Sequence, residues 1–190
     1  MNKIFEYIIV GPPEVGKTSL IVRYFDNLFL NASYNTIGFS MRSKLIYGYA
    51  SYDIKMMIYD TAGQERYFTL ITNFIRNKAC ILLCFSLASS ESFKECKKYA
   101  QMINEIKDEN TVVFLIGTFL DMKTKCKNIN QSELEEFINL NQYKYYEISS
   151  KTGEGIREFF DSSLKILVNK NLGKDEKRSI NDYTKNIKCC

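Results

Sequence analysis

The sequence predicts an α/β domain built on a six-stranded, mostly parallel sheet with one antiparallel edge strand and about five helices on its two faces. Three observations carry this. Apolar runs of strand length alternate with segments of helical periodicity, a glycine-rich turn joins the first run to the first helical segment, and one pair of extended segments adjoins with no helix between.

In chain order, FEYIIV at 5–10 is the first strand and KTSLIVRYF, directly after the turn, the first helix. FSMRSKLIYGYASYDIKMMIYD at 39–60 reads as two extended segments joined around Gly48 to Ser51, a hairpin that supplies the antiparallel edge. CILLCFSL at 80–87, TVVFLIG at 111–117 and YKYYEIS at 143–149 are further strands, rich in β-branched and aromatic residues. Helical patterns lie at 89–107, 130–140 and 153–168. In the last, Ile156, Phe159, Phe160, Leu164 and Leu167 share one face, and Ser132 ahead of Glu135 reads as a capping box for the helix at 130–140. After about residue 170 apolar periodicity stops, and NLGKDEKRSINDYTKNIKCC reads as a mobile tail.

With 190 residues the chain suits one domain, which buries roughly 70% of its unfolded surface. A formal charge of +4 without a run of five or six like charges argues against nucleic acid as a partner. No apolar run approaches a signal-peptide core or a membrane span, so a cytosolic location is expected unless something anchors the chain. Cys80, Cys84, Cys96 and Cys126 lack paired metal-ligand spacing and read as structural thiols of a reducing compartment. The absence of histidine excludes imidazole-based triads and zinc-hydrolase sites.

The turn at 11–19, GPPEVGKTS, satisfies G-x-x-x-x-G-K-[ST] through Gly11, Gly16, Lys17 and Thr18, between a strand and a helix as that pattern requires. Amides of Glu14, Val15, Gly16, Lys17, Thr18 and Ser19 at a helix N-terminus favour a β-phosphate, Lys17 reaches the β and γ phosphates, and the Thr18 hydroxyl suits Mg²⁺. These residues predict nucleoside triphosphate binding without choosing the base. Pro12 and Pro13 lack an N–H only ahead of the amides that matter, and Glu14 is expected to point outward, away from phosphate.

DTAGQE at 60–65, after an apolar strand, and YNTIG at 34–38 complete a set that resembles the small GTPases of the Ras superfamily, in order and spacing from 4 to 169. The terminal CC, with DTAGQER and TIG, is most similar to the Rab branch. The resemblance implies a GTPase domain at 1–169 and a hypervariable tail at 170–190. It also implies a water-mediated hold of Asp60 on Mg²⁺, direct ligation by Thr36 in the triphosphate state, and a Gly63 amide on the γ-phosphate. Gln64 would orient the attacking water, Lys17 would assist catalysis by stabilising phosphate charge, and Phe29 would pack against the guanine. No arginine is placed to act from within the chain, so fast turnover would need one from a partner.

IGTFLDM at 116–122 resembles the family's (N/T)KxD, with Thr118 as the accepted variant and Asp121 in place to take two hydrogen bonds from guanine N1 and N2. Phe119 stands where the family has lysine, so a phenyl ring replaces that stem against the base and its ammonium is lost. SSK at 149–151 resembles SAK: Ser149 opens the loop, the Ser150 amide lies near guanine O6 and Lys151 beside the base. The partner-reading aromatic triad corresponds to Met41, Tyr59 and Phe74, and Cys189–Cys190 resembles a double prenyl acceptor without a C-a-a-X box.

The implied protein is a monomeric switch for GTP and GDP with Mg²⁺ as cofactor. It would work with an exchange factor, a GTPase-activating protein, a GDP-dissociation inhibitor and effectors, and would cycle between cytosol and an intracellular membrane in vesicular traffic. Pro13, at the position nearest Gln64 and the γ-phosphate, predicts slow turnover with weak stimulation. Two other readings stand beside this one: a GTP-binding regulatory module with negligible hydrolysis, and a phosphate-loop kinase or ATPase, which Asp121 disfavours.

Overall fold

The computed structural model describes residues 2–30, 39–49, 52–61, 72, 75, 78–123 and 129–170. Its elements are β1 (Asn2–Val10), α1 (Lys17–Asp26), β2 (Phe39–Tyr49), β3 (Tyr52–Thr61), β4 (Cys80–Ser86), α2 (Ser90–Ile106), β5 (Val112–Thr118), a 3₁₀ turn (Leu120–Met122), α3 (Gln131–Asn141), β6 (Lys144–Glu147) and α4 (156–170). The six strands form one sheet in the order β2-β3-β1-β4-β5-β6. Only β2 and β3 run antiparallel; every other neighbouring pair is parallel. The expected class therefore stands, with four α-helices among the described residues. Thr72 and Ile75 are also helical, in a stretch otherwise outside them.

Each face of the sheet carries its own core. Phe5, Tyr7 and Ile9 of β1 point toward α1 and α4, where they meet Leu20, Ile21, Phe159, Phe160 and Leu164. Ile8 and Val10 point the other way and join Phe93, Cys96, Ile103, Leu134 and Phe137 of α2 and α3. The period of two along β1 thus feeds two hydrophobic layers. Both faces being covered, β4 and β5 are buried at every position, which is why they read as continuous apolar runs. The edge strand β2 leaves Met41, Leu45 and Tyr47 exposed. Cys80, Cys84 and Cys96 are free and buried, in agreement with a structural role; Cys126 lies outside the described residues.

One expected cap is corrected. Ser132 does not start α3: Asn130 is the N-cap, its side-chain oxygen accepting from the amides of Ser132 and Glu133 at 3.0 and 3.4 Å. Asparagine caps at least as well as serine, and placing it two residues earlier lets the helix begin at Gln131. Helix α2 is capped by Ser89, whose side-chain oxygen accepts from the Ser92 amide.

β1 sits between β3 and β4, so the chain moves to opposite sides of β1 and opens a crevice at its carboxyl end. The glycine-rich loop leaves β1 at that crevice. Strands β3, β5 and β6 end at the same edge, and this is where the chemistry collects.

Candidate functional site

The loop at 11–16 is fixed by contacts that use its carbonyls. Gly11 has φ 140°, and a Cβ built there would lie 2.2 Å from the Cys84 carbonyl oxygen, so only glycine fits between β1 and β4. The buried Lys17 curls back to donate to the carbonyls of Gly11 at 2.9 Å and Pro12 at 2.5 Å. Burial lowers the pKa of this ammonium to about 8, against the opposing pull of Cys84 and Asp60. Gly16 is the N-cap of α1, in a left-handed conformation with φ 81°, and the helix has no side-chain cap and no acidic residue in its first turn. Its first amides, through Lys17, Thr18 and the half-buried Ser19, therefore form an anion-favouring end beside a lysine.

Glu14 adopts φ 61°, which costs a residue with a Cβ about 1–2 kcal/mol. Its side chain is exposed, the expected outward orientation, as is that of Pro13; Pro12 and Val15 are buried.

Asp60, at the end of β3, is 2% exposed and accepts from the Thr18 hydroxyl at 2.7 Å through Oδ2. Its Oδ1 is buried without a hydrogen-bond partner. Burial raises the Asp60 pKa, opposed by the Thr18 hydroxyl and the Lys17 charge. An orphaned buried carboxylate oxygen is costly by itself, and a hard cation beside it removes that cost. The all-oxygen set of Thr18 and Asp60 fits Mg²⁺.

Across the crevice, the Thr118 hydroxyl at the end of β5 lies 2.8 Å from the carbonyl oxygens of both Val15 and Phe85, tying the phosphate loop to β4 and β5. Phe119 follows with φ 58° and ψ 41°, a left-handed conformation that is uncommon for a bulky residue. Its ring lies against the phosphate loop: a Cβ built on Gly16 would be 3.4 Å from Phe119 Cε2. Asp121 is half-buried and accepts from the buried Ser149 hydroxyl at 2.7 Å. The Ile148 amide donates to the Gly117 carbonyl and the Leu120 amide to the Ile148 carbonyl, which lock the 118–121 and 149–151 loops side by side. Ser150 is buried and Lys151 exposed. Phe29 is half-buried in the irregular stretch that follows α1.

The structure thus brings Glu14, Val15, Gly16, Lys17, Thr18, Ser19, Asp60, Thr118, Asp121, Ser149, Ser150 and Lys151 to one edge of the sheet. Thr36, Gly63, Gln64, Phe74, Cys189 and Cys190 lie outside the described residues. Of the two described triad positions, Met41 is 50% exposed. Tyr59 is half-buried and donates its hydroxyl to Glu6 Oε1 at 2.6 Å, where Lys78 also reaches at 3.1 Å.

Arg23 belongs to no motif in the sequence. From α1 its guanidinium donates to the carbonyls of Ser150 at 2.6 Å, Lys151 at 2.7 Å and Asn27 at 2.9 Å. In the sequence, an arginine in a last helical turn reads as a partner for the helix dipole, and nothing local marks it as reaching a loop 127 residues away.

A glycine-rich loop, a buried lysine, an orphaned aspartate and a second loop with a carboxylate, all at a sheet switch point, define the phosphate-loop class of nucleotide-binding α/β proteins. Residues 6–169 match the Ras family model. The rat GTP-binding protein Rab-3D (Rattus norvegicus) is 29% identical over 167 residues, which is 88% of this chain and 75% of that one. Bovine Ras-related protein Rab-13 (Bos taurus) is 27% identical over 189 residues, 100% of this chain and 92% of that one. Rab-4 of Dictyostelium discoideum is 27% identical over 88% of this chain and 80% of its own length. The chain belongs to the Ras family of small GTPases and is most like its Rab branch.

Proposed function

We propose that this small GTPase is a Mg²⁺-dependent switch that hydrolyses GTP slowly and recruits effectors to an intracellular membrane while GTP is bound. The observation that carries the reading is the meeting, at one crevice, of the Lys17 cradle, the Thr18–Asp60 pair and the Asp121–Ser149 pair.

In this reading Lys17 exchanges the carbonyls of Gly11 and Pro12 for phosphate oxygens, and the amides of Glu14 to Ser19 wrap the β-phosphate. Thr18 and Thr36, with Asp60 through a water, would hold Mg²⁺, which would neutralise charge on the phosphate oxygens. Gly63 contacts the γ-phosphate and Gln64 orients the attacking water. Phosphoryl transfer asks for positioning and charge stabilisation more than for a strong base, so a glutamine suffices. Thr118, Asp121, Ser149, Ser150 and Lys151 frame the guanine, with Phe29 on its flank. Prenyl groups on Cys189 and Cys190 anchor the chain; two are needed because each buried methylene contributes only about 0.8 kcal/mol and one chain binds marginally. An exchange factor, a GTPase-activating protein and a GDP-dissociation inhibitor set the cycle.

A second reading, occupancy without appreciable hydrolysis, is supported by Pro13, exposed on the loop beside the expected γ-phosphate position. Single-turnover hydrolysis of labelled GTP with Mg²⁺, with and without an activating protein, separates the two. The switch reading expects slow but measurable turnover that Pro13→Gly makes more responsive to the activating protein. An unchanged stimulated rate in that variant would remove Pro13 as the cause. Effective displacement of labelled GTP by excess ATP would overturn the guanine reading altogether.

A further inference from the structure

We infer that Arg23 is the positioning residue for guanine recognition: from α1 it sets the geometry of the 149–152 loop and, through that loop, of Asp121. The inference rests on the guanine reading above and adds a residue to it.

Three successive carbonyls of this loop are held. The Ser149 carbonyl accepts from the Gly153 amide at 2.8 Å, the Ser150 carbonyl from Arg23 Nε at 2.6 Å, and the Lys151 carbonyl from Arg23 Nη2 at 2.7 Å. A trans peptide is planar with its C=O and N–H antiparallel, so a carbonyl drawn toward Arg23 turns the following amide away from it. The grip on the Lys151 carbonyl thus aims the Thr152 amide, which donates to Ser149 Oγ at 3.1 Å. Ser149, fully buried, gives its own hydroxyl proton to Asp121 Oδ1 at 2.7 Å. Arg23 is connected to the base-reading carboxylate by an unbroken chain of hydrogen bonds and one rigid peptide.

The same guanidinium also holds the end of its own helix. Arg23 Nη1 donates to the Asn27 carbonyl at 2.9 Å, where α1 ends in a left-handed residue with φ 54° and the chain turns toward Phe29. Because α1 begins at Lys17 and Thr18, one helix carries the phosphate-binding end, the grip on the base loop and the exit toward Phe29. A planar fork with five donors can serve three carbonyls on two segments at once; an ammonium on a flexible stem cannot hold them in fixed planes.

The test uses the full chain with Mg²⁺ and a fluorescent GDP, displaced by GDP or by IDP, which lacks the 2-amino group that Asp121 would read. Arg23→Ala is expected to weaken GDP about tenfold and IDP far less, so that the preference for GDP shrinks. Arg23→Lys and Arg23→Gln, each able to reach one carbonyl, should fall between. If Arg23 only stabilises the fold, the variants will lower the melting temperature and weaken both nucleotides by the same factor, and that result overturns the inference, as does no change in either. A wild-type chain with no preference for GDP over IDP would instead bring down the guanine reading, and with it this proposal.

Discussion

The hydroxyl of Thr118 joins the end of β5 to the glycine-rich loop and to β4, and Thr118→Val tests how much that junction matters. Valine has nearly the same shape, so the substitution removes the hydroxyl without opening a cavity. Thr118 is 1% exposed and its oxygen lies 2.8 Å from the Val15 and Phe85 carbonyls. One hydroxyl carries one proton, so one carbonyl at a time is served. Removing it from a buried acceptor costs about 1–3 kcal/mol. In a chain of this size each kcal/mol lowers the melting temperature by about 2–4 °C.

Urea unfolding of the nucleotide-free chain measures the first part. The same titration with saturating GDP measures the second, since ligand adds RT ln(1 + [L]/Kd) to the stability. If the bond also positions Val15 in the phosphate loop, the GDP increment shrinks in the variant. Thr118→Ser, which keeps the hydroxyl and loses a methyl, should retain that increment. A loss under about 0.5 kcal/mol in Thr118→Val, with the GDP increment intact, would refute the reasoning, because surface-like substitutions fall in that range.

Three further outcomes are expected. Gly11→Ala should give insoluble or severely destabilised protein in an expression and melting assay, since its methyl would stand 2.2 Å from a backbone oxygen of Cys84 that cannot move without breaking the sheet. Glu14→Gly should raise the unfolding free energy measured by urea titration by up to about 1 kcal/mol, the left-handed penalty less the entropy glycine brings. Tyr59→Phe should flatten the pH–stability profile at both ends. Burial raises the Glu6 pKa, but the Tyr59 hydroxyl and the Lys78 ammonium more than offset this and leave it below the ordinary 4.5. That stabilisation is present above 4.5 and lost as pH falls through the folded value. The Tyr59 pKa is raised above 10 by the same bond, so its share is present below 10 and lost as pH climbs through the folded value. An unchanged profile in thermal melts from acid to alkaline pH would count against the bond.

The parallel strands were legible because burial on both faces makes β4 and β5 continuously apolar, a pattern that survives without knowing their neighbours. The phosphate loop was legible because its function needs fixed residues at fixed offsets. Asn130 was missed as a cap because Ser132 with Glu135 offers the same chemistry two residues on, and only backbone geometry decides between them. Arg23 was illegible for a different reason: its partners are backbone carbonyls of Ser150 and Lys151, and a carbonyl leaves no trace in the residue that carries it. The Tyr59–Glu6–Lys78 group joins β1, β3 and the approach to β4, a register that no local pattern announces.

The same distinction explains how a loop with two prolines and a glutamate keeps its shape. The contacts that fix it use carbonyls: Lys17 reaches those of Gly11 and Pro12, and Thr118 that of Val15. Proline lacks an N–H but keeps its C=O, so Pro12 can be buried in this loop and still serve Lys17 at 2.5 Å. The side chains of Pro13 and Glu14 are exposed and take no part in these anchors. The cost of the unusual sequence is therefore concentrated at one bond rotation, the positive φ of Glu14, and is small against the anchors around it. The anchors fall on the carbonyls of Gly11, Pro12 and Val15, so the exposed side chains of Pro13 and Glu14 can change without touching the contacts that hold the loop.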